Sequence, residues 1–442
     1  MGAYSSGESS RHAAGDSRWS FPLRITFRFA FVYFGIYCLT TQILTSLLPL
    51  PFPNIEVPEL DTLPPIRPMV FWAAAHLFHI STPLVYTGSG SGDKTFDWVY
   101  AFCLLVIAAF AALVWSVLDR RRENYLTLHK WFRLYVRFCL AGQMFTYGMY
   151  KVVPLQMSFP FVRLVQPYGD FSPMGVLWAF IGASPAYQCF AGCAEILGGL
   201  LLLLPRTAML GALVCLADMT QVFVLNMTYD VPVKLLSFHL ILLTAILLAP
   251  DVRRLAGFFL LDRAPALSSH PPLFASPRAN RLALAAQLLF GLCLVSSNAW
   301  VARTTWYTQG DGRPKPPLYG IWEVSEFSID GQVRPPLLSD QDRWRRAIVY
   351  AITRIRIQRM DDSMFYLGLS LDAAKGTFAL TRGDDKNWKA NFHFQQPSQN
   401  ELALDGDMNG HKVSIRFHLM DSSRFLLESR GFHWVQEYPL NR

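Results

Sequence analysis

Charge is scarce in this chain: Asp, Glu, Lys and Arg make up only 16% of its 442 residues, against 52% hydrophobic and 14% aromatic residues. A purely globular protein carries more charge, so this composition points to a polytopic membrane protein with some soluble mass attached. Cysteine is absent after Cys293, and the C-terminal part therefore folds without disulfides on whichever side of a membrane it lies. No Gly-rich phosphate cradle, zinc-type Cys/His set or Ser-His-Asp series at informative spacing occurs, which removes the usual sequence grounds for nucleotide, zinc and serine-hydrolase chemistry. A cleavable signal peptide is also missing, because the first apolar run follows about 20 polar residues and is too long for one; it reads as an uncleaved first span. The formal charge of +8 sits in short runs beside hydrophobic stretches, which is the pattern of membrane topology and not of nucleic-acid binding.

What is present is a series of long apolar stretches. About seven windows of ~20 apolar residues suit a bilayer crossing: 25–48, 98–118, 131–153, 186–204, 207–226, 233–249 and 282–302. Residues 1–20 ahead of them read as disordered, and Gly2 stands in a myristoylation-like context that a Ser/Gly-rich start matches by chance. Arg18, Arg24, Arg120, Arg121, Arg122, Arg206, Arg253, Arg254, Arg263, Arg278 and Arg281 fall at one end of the spans. Glu56, Glu59, Asp61, Asp93, Asp170 and Asp230 fall at the other. The positive-inside rule then predicts a cell-membrane protein with a cytoplasmic N-terminus and an extracytoplasmic C-terminal domain. A Pro-rich loop from Pro49 leads to an apolar segment, Met69 to Ile80, too short to cross and expected to lie in the outer interface or re-enter. His76 and His79 are read as sharing one helical face there, which is half of a metal site at best, so no metal is expected.

Glu195 and Asp218 lie near the centres of consecutive apolar stretches, where ionisable groups are costly and usually functional. Small residues Ala191 and Gly199 one turn from Glu195 let a neighbouring helix approach. Basic groups that could compensate the two carboxyls are Arg133 and Arg137 on the third span, Lys151 near its outer end, and Lys234 at the start of the sixth. A buried carboxyl with such a partner stays charged; without one it protonates. Either state suits a proton-coupled or quinone-type site, and the competing reading is a polar lock that holds helices in register. His239 reads as hydrogen-bonded structure, and Cys189 with Cys193, four apart, as small apolar packing.

After Arg303 the pattern changes. A turn-rich linker, residues 305–317, is followed by period-two alternation over 318–442, as in Trp388 to Gln395 and Val413 to Leu419. Turn signals at 374–376, 382–385, 405–407 and Asn409-Gly410 predict an antiparallel meander of about eight strands. The apolar parity flips between Ile352 and Ile355, so a bulge or break is expected near 351–354.

The run 131–250, with Gly148-Met149-Tyr150-Lys151, then Ala194-Glu195-Ile196-Leu197-Gly198-Gly199 and Pro205-Arg206-Thr207, resembles the DoxX family of four-helix membrane proteins. The resemblance implies redox work with a membrane quinone and a membrane redox partner, with Glu195 and Lys151 carried over. In layout alone, a helical membrane bundle joined to an outer β-rich domain is similar to the vitamin K-dependent carboxylase superfamily. The C-terminal domain resembles lipocalin-like barrels from Leu318-Tyr319-Gly320-Ile321-Trp322 onward. There a Gly-x-Trp closes the barrel floor under a late basic residue, for which Arg430 and Arg442 are candidates. Trp322 together with lumen-facing Trp388, Phe392, Phe394, Val413, Ile415 and Phe417 would line a site for one small apolar ligand, or simply fill the interior.

The expectation is thus a membrane all-α helical bundle over 21–304, with a DoxX-like core, carrying an antiparallel β-barrel. Its function is read as quinone- or lipophile-linked redox activity in which Glu195 relays protons, Asp218 assists, and Lys151 or Arg137 sets their charge state. The alternative is a non-enzymatic protein whose barrel binds a lipophile or an assembly partner.

Overall fold

The computed structural model describes residues 18–48, 59–264 and 272–441. The expectations for residues 1–17, for Glu56 and the start of the Pro-rich loop, and for Arg442 lie outside them. The chain divides into two units, Met1–Gln156 with Ala186–Trp306, and Met157–Pro185 with Tyr307–Arg442.

In the helical unit the first stretch is not one helix. α1 (Phe21–Thr40) ends where Thr41 turns extended, and a short α2 (Gln42–Ser46) follows. α3 (Ile66–His76) buries Val70, Ala73 and Ala74 and leaves Trp72 exposed. α4 (Thr95–Leu118) begins with Asp97 Oδ2 accepting from the Lys94 backbone N–H, which satisfies a donor at the helix start. α5 (Leu126–Val152) is the third expected span. Two short helices, α6 (Val162–Val165) and α7 (Pro173–Gly182), precede α8 (Pro185–Leu203), α9 (Ala208–Thr228) and α10 (Lys234–Leu248). Asp93, from the loop before α4, caps α10 by accepting from the backbone N–H groups of Lys234 and Leu235, each at 2.8 Å. α10 continues through one tight turn into α11 (Val252–Phe259), and α12 (Pro277–Thr308) completes the bundle.

Among the described residues six helices are long and apolar enough to cross a membrane: α1, α4, α8, α9, α10 with α11, and α12. The expected seventh, α5, is long enough but carries Lys130, Arg133, Arg137 and Lys151. Every residue from Val136 to Phe145 is nevertheless buried. A helix hidden on all sides is central, so the most basic of the long helices is the one the others surround. The outer helices instead leave Phe110, Leu113, Leu282 and Leu292 exposed, as lipid-facing surfaces do.

The second unit is built on an antiparallel barrel: β1 (Gly320–Ile329), β2 (Gln332–Val333), β3 (Trp344–Val349), β4 (Arg354–Arg359), β5 (Met364–Asp372), β6 (Thr377–Thr381), β7 (Lys389–Ser398), β8 (Glu401–Met408) and β9 (His411–Leu419). β2 is a two-residue extension paired only with β1; the remaining eight strands close on themselves through β1 and β9, from Trp322 opposite Leu419 to Ile329 opposite Val413. Closure leaves no long edge to aggregate. Asn409 and Gly410 both take positive φ, the conformation a two-residue hairpin requires, and join β8 to β9 as expected. The parity flip is a break: β3 ends at Val349 and β4 starts at Arg354.

Two sequence expectations are corrected here. Asp405-Gly406-Asp407 is no turn but runs through β8, with Gly406 paired to Phe392 and Val413. A methyl at Gly406 would lie 2.1 Å from Asn391 O, so the glycine marks close strand approach. Met157–Pro185, read from sequence as part of the bundle, packs with the barrel: Val162 sits among Ile321, Ile348 and Met420, and fully buried Gln358 donates to Val165 O at 3.1 Å.

Candidate functional site

α5 and α8 meet at glycines. A methyl at Gly192 would lie 2.6 Å from Gly148 O and 2.8 Å from the Lys151 Cβ, so the two backbones touch and only glycine fits. The small residue of closest approach is thus Gly192, while Gly199 receives the Phe145 ring. Three residues further along each helix, Lys151 Nζ lies 2.5 Å from Glu195 Oε1, and both side chains are buried. Glu195 Oε2 has no hydrogen-bond partner, nor does Asp218 Oδ2 on half-buried Asp218. The charges acting on Asp218 are those of Glu195 and Lys151. Glu195, Asp218 and Lys151 thus influence one another electrostatically.

Arg137 does not join it. Its Nη2 donates to Gln287 Oε1 on α12, and Arg133 reaches Asp251 and Leu247 O. Lys234 pairs with Asp230 at 2.9 Å. His239 uses both ring nitrogens, on Tyr33 Oη at 2.8 Å and Leu235 O at 2.7 Å, and stacks on Tyr37 at 3.9 Å. His79 lies beyond the end of α3 with φ of 53°, so it shares no helical face with His76, whose ring stacks on Trp72. All seven cysteines are free thiols. Arg28, which the sequence reading passes over, is 2% exposed and engages every nitrogen: Nε and Nη2 on Tyr125 Oη, Nη1 on Ser116 Oγ, Nη2 also on Asp119 O.

Nor did the sequence reveal a cavity of about 800 Å³ in the bundle, lined from α1, α2, the loops before α4, and from α4, α5, α10 and α12. Its wall carries Glu59, Asp61, Lys94, Asp97, Gln143 and Asn298 together with Tyr37, Tyr86, Tyr100, Tyr147 and Tyr150. Asp61 and Gln143 are 3% and 2% exposed, and Asp61 Oδ1 and Gln143 Oε1 have no hydrogen-bond partner. Burial and the neighbouring charges of Glu59 and Asp97 push the Asp61 carboxyl up to about 7, against a smaller pull from Lys94. Tyr147 forms a shared wall: it lines the cavity, and Lys151 Nζ stands 5.9 Å from its ring centroid. The only local sequence signal was the acidic 59–61 pair, which marked a loop and not a site.

In the barrel, Trp322, Phe392, Val413, Ile415 and Phe417 are buried in one apolar cluster with Phe327, Ile357 and Phe378, and Trp388 and Phe394 pack half-buried against it. The Trp322 indole donates to Leu318 O at 2.7 Å, while Arg430 reaches Gln436. The inward residues thus make the barrel's own core.

No family model matches the chain, and no solved structure does. It is 33% identical over 132 residues to the uncharacterized protein YwoB of Bacillus subtilis (strain 168), an alignment covering 28% of this chain and 79% of that protein.

Proposed function

The chain belongs to the family of Bacillus subtilis YwoB, and we propose that it is a multi-pass membrane protein whose helical bundle binds a small polar ligand, with a packed barrel as an assembly module. The observation that carries this is the cavity of about 800 Å³ whose wall includes two buried residues, Asp61 and Gln143, each with an oxygen that has no hydrogen-bond partner. Buried polar atoms are normally satisfied, and an exception at a pocket of ligand size is the default binding site. The Lys151–Glu195 pair then serves as the lock that holds α5, and with it Gln143 and Tyr147, against α8.

Sidedness follows from charge. Arg24 and Arg122 are joined at the end where α1 begins and α4 finishes, while Glu59, Asp61 and Asp93 lie at the opposite end. The positive-inside rule makes the first end and the N-terminus cytoplasmic, so the cavity and the barrel that follows α12 are extracytoplasmic. The barrel core leaves its outer face for a protein partner in place of a lipophile inside. Native mass spectrometry of the detergent-purified chain tests the binding reading: wild type should carry a small molecule that Asn298→Trp, which fills the cavity, releases. Identical spectra would refute it.

A second reading is membrane redox work with a quinone, as the DoxX resemblance implies. It is supported by Glu195 Oε2 and Asp218 Oδ2, buried carboxyl oxygens without hydrogen-bond partners on residues whose charges influence each other. A quinone supplies two-electron, two-proton chemistry, and these carboxyls would hold the protons. The cavity fits it poorly, since its wall does not include Glu195 or Asp218. Unchanged quinone content and activity in Glu195→Gln would exclude this reading.

A further inference from the structure

Resting on the cavity reading, we infer that the ligand is an organic cation, an ammonium group carried by a free amine or by a lipid headgroup. Charge is the first reason. The wall holds three carboxylates against one cation, and that cation, Lys94, is already engaged by Asp97 at 3.0 Å and Ser91 O at 2.8 Å. Among the described residues Glu59 and Asp61 have no cationic partner. Leaving buried Asp61 and half-buried Glu59 at the cavity wall without a counter-charge is costly, and a ligand cation offsets that cost.

The free acceptors are the second reason. Gln143 Nε2 is fixed by Ser46 Oγ at 2.9 Å and by Gln42 O at 3.3 Å, so the amide's open end is its carbonyl oxygen, an acceptor like Asp61 Oδ1. Both ask for a donor, and an N–H-bearing cation supplies donor and charge together. The tyrosines are the third: Tyr100 and Tyr150 stand on the wall, and aromatic rings attract an alkylammonium. Tyr86, also on the wall, already has the Arg67 guanidinium 5.3 Å over its ring.

A metal ion is a poorer occupant. Among the described residues no group of three or more His, Cys, Asp or Glu is placed to hold one, and the volume is that of an organic molecule.

The full chain in maltoside micelles is titrated calorimetrically with methylammonium, ethylammonium and ethanolamine, with sodium as the control. Saturable binding of at least one ammonium is expected, weakened about 30-fold or more by Asp61→Asn and by Glu59→Gln, as for a buried charge pair that loses one partner. Each variant is first shown to be monodisperse with a cooperative thermal transition. Binding in lipid-free micelles identifies a free amine; binding only in nanodiscs containing phosphatidylethanolamine identifies a headgroup, and both support the inference. Wild-type affinity in both folded variants overturns it, as does the absence of saturable binding in micelles and nanodiscs alike. A neutral or anionic molecule released by Asn298→Trp would overturn the cation assignment while leaving the cavity as a ligand site. Absence of any bound molecule, with Asn298→Trp indistinguishable from wild type, would remove both.

Discussion

Lys151 and Glu195 meet at 2.5 Å, each three residues beyond the glycine, Gly148 or Gly192, at which their helices touch. Backbone contact and ion pair are therefore one device: the glycines set the distance at which a lysine and a glutamate can bond inside an apolar bundle. Removing one partner strands the other charge in low dielectric. Lys151→Met alone should cost about 3–5 kcal/mol, whereas Lys151→Met with Glu195→Leu should come close to wild type. Thermal unfolding of the three proteins in one detergent measures this, and equal losses in single and double variants would show that the pair is no lock.

Gly192→Ala tests the contact itself. Its methyl would meet backbone atoms, Gly148 O at 2.6 Å and Val152 N at 2.8 Å, which cannot rotate away, so a loss of about 1–3 kcal/mol or more is expected. Gly35→Ala in α1 meets nothing within 4 Å and should be neutral or stabilising by up to about 1 kcal/mol. The melting temperature should fall in Gly192→Ala and hold or rise in Gly35→Ala.

Acidity should act through Asp61, whose carboxyl is held at about 7 against an ordinary 3.8 by burial and by Glu59 and Asp97, with Lys94 opposing. The folded state holds this proton more tightly than the unfolded chain does. The resulting stability is complete below about pH 4 and is lost as pH rises through about 7. A cation in the cavity favours the ionised form, so methylammonium affinity should climb between pH 6 and pH 8. Asp61→Asn should flatten both profiles; a calorimetric series across that range that is equally steep in the variant would assign the titration elsewhere.

The barrel core is expected to be rigid and to respond as packed interiors do. Phe327, fully buried, should cost about 3–5 kcal/mol when changed to alanine. Trp434, 92% exposed, should cost within about 0.5 kcal/mol. Protease resistance of the C-terminal part in the intact chain reports the difference.

Lateral solvation was legible residue by residue: runs of apolar side chains marked the spans, period-two alternation marked the strands, and Asn409-Gly410 marked its hairpin, because each of these is a local preference. His239 could be read as structural for the same reason, since one of its partners is a carbonyl one turn away on its own helix. Electrostatic partnership was not legible. Lys151 and Arg137 stood as equal candidates for Glu195, and only the rotation of α5 against α8 and α12 sent one to the glutamate and the other to Gln287.

By itself, then, the sequence determined which segments form lipid-facing helices and which form half-buried strands. The tertiary structure alone decided that the most basic long helix is central, that 157–185 joins the barrel, and that Asp61 and Gln143, far apart in the chain, line one cavity. The physical reason is that periodicity records the environment each residue prefers, whereas pairing depends on helix rotation and depth, which packing sets at contacts such as Gly148 on Gly192.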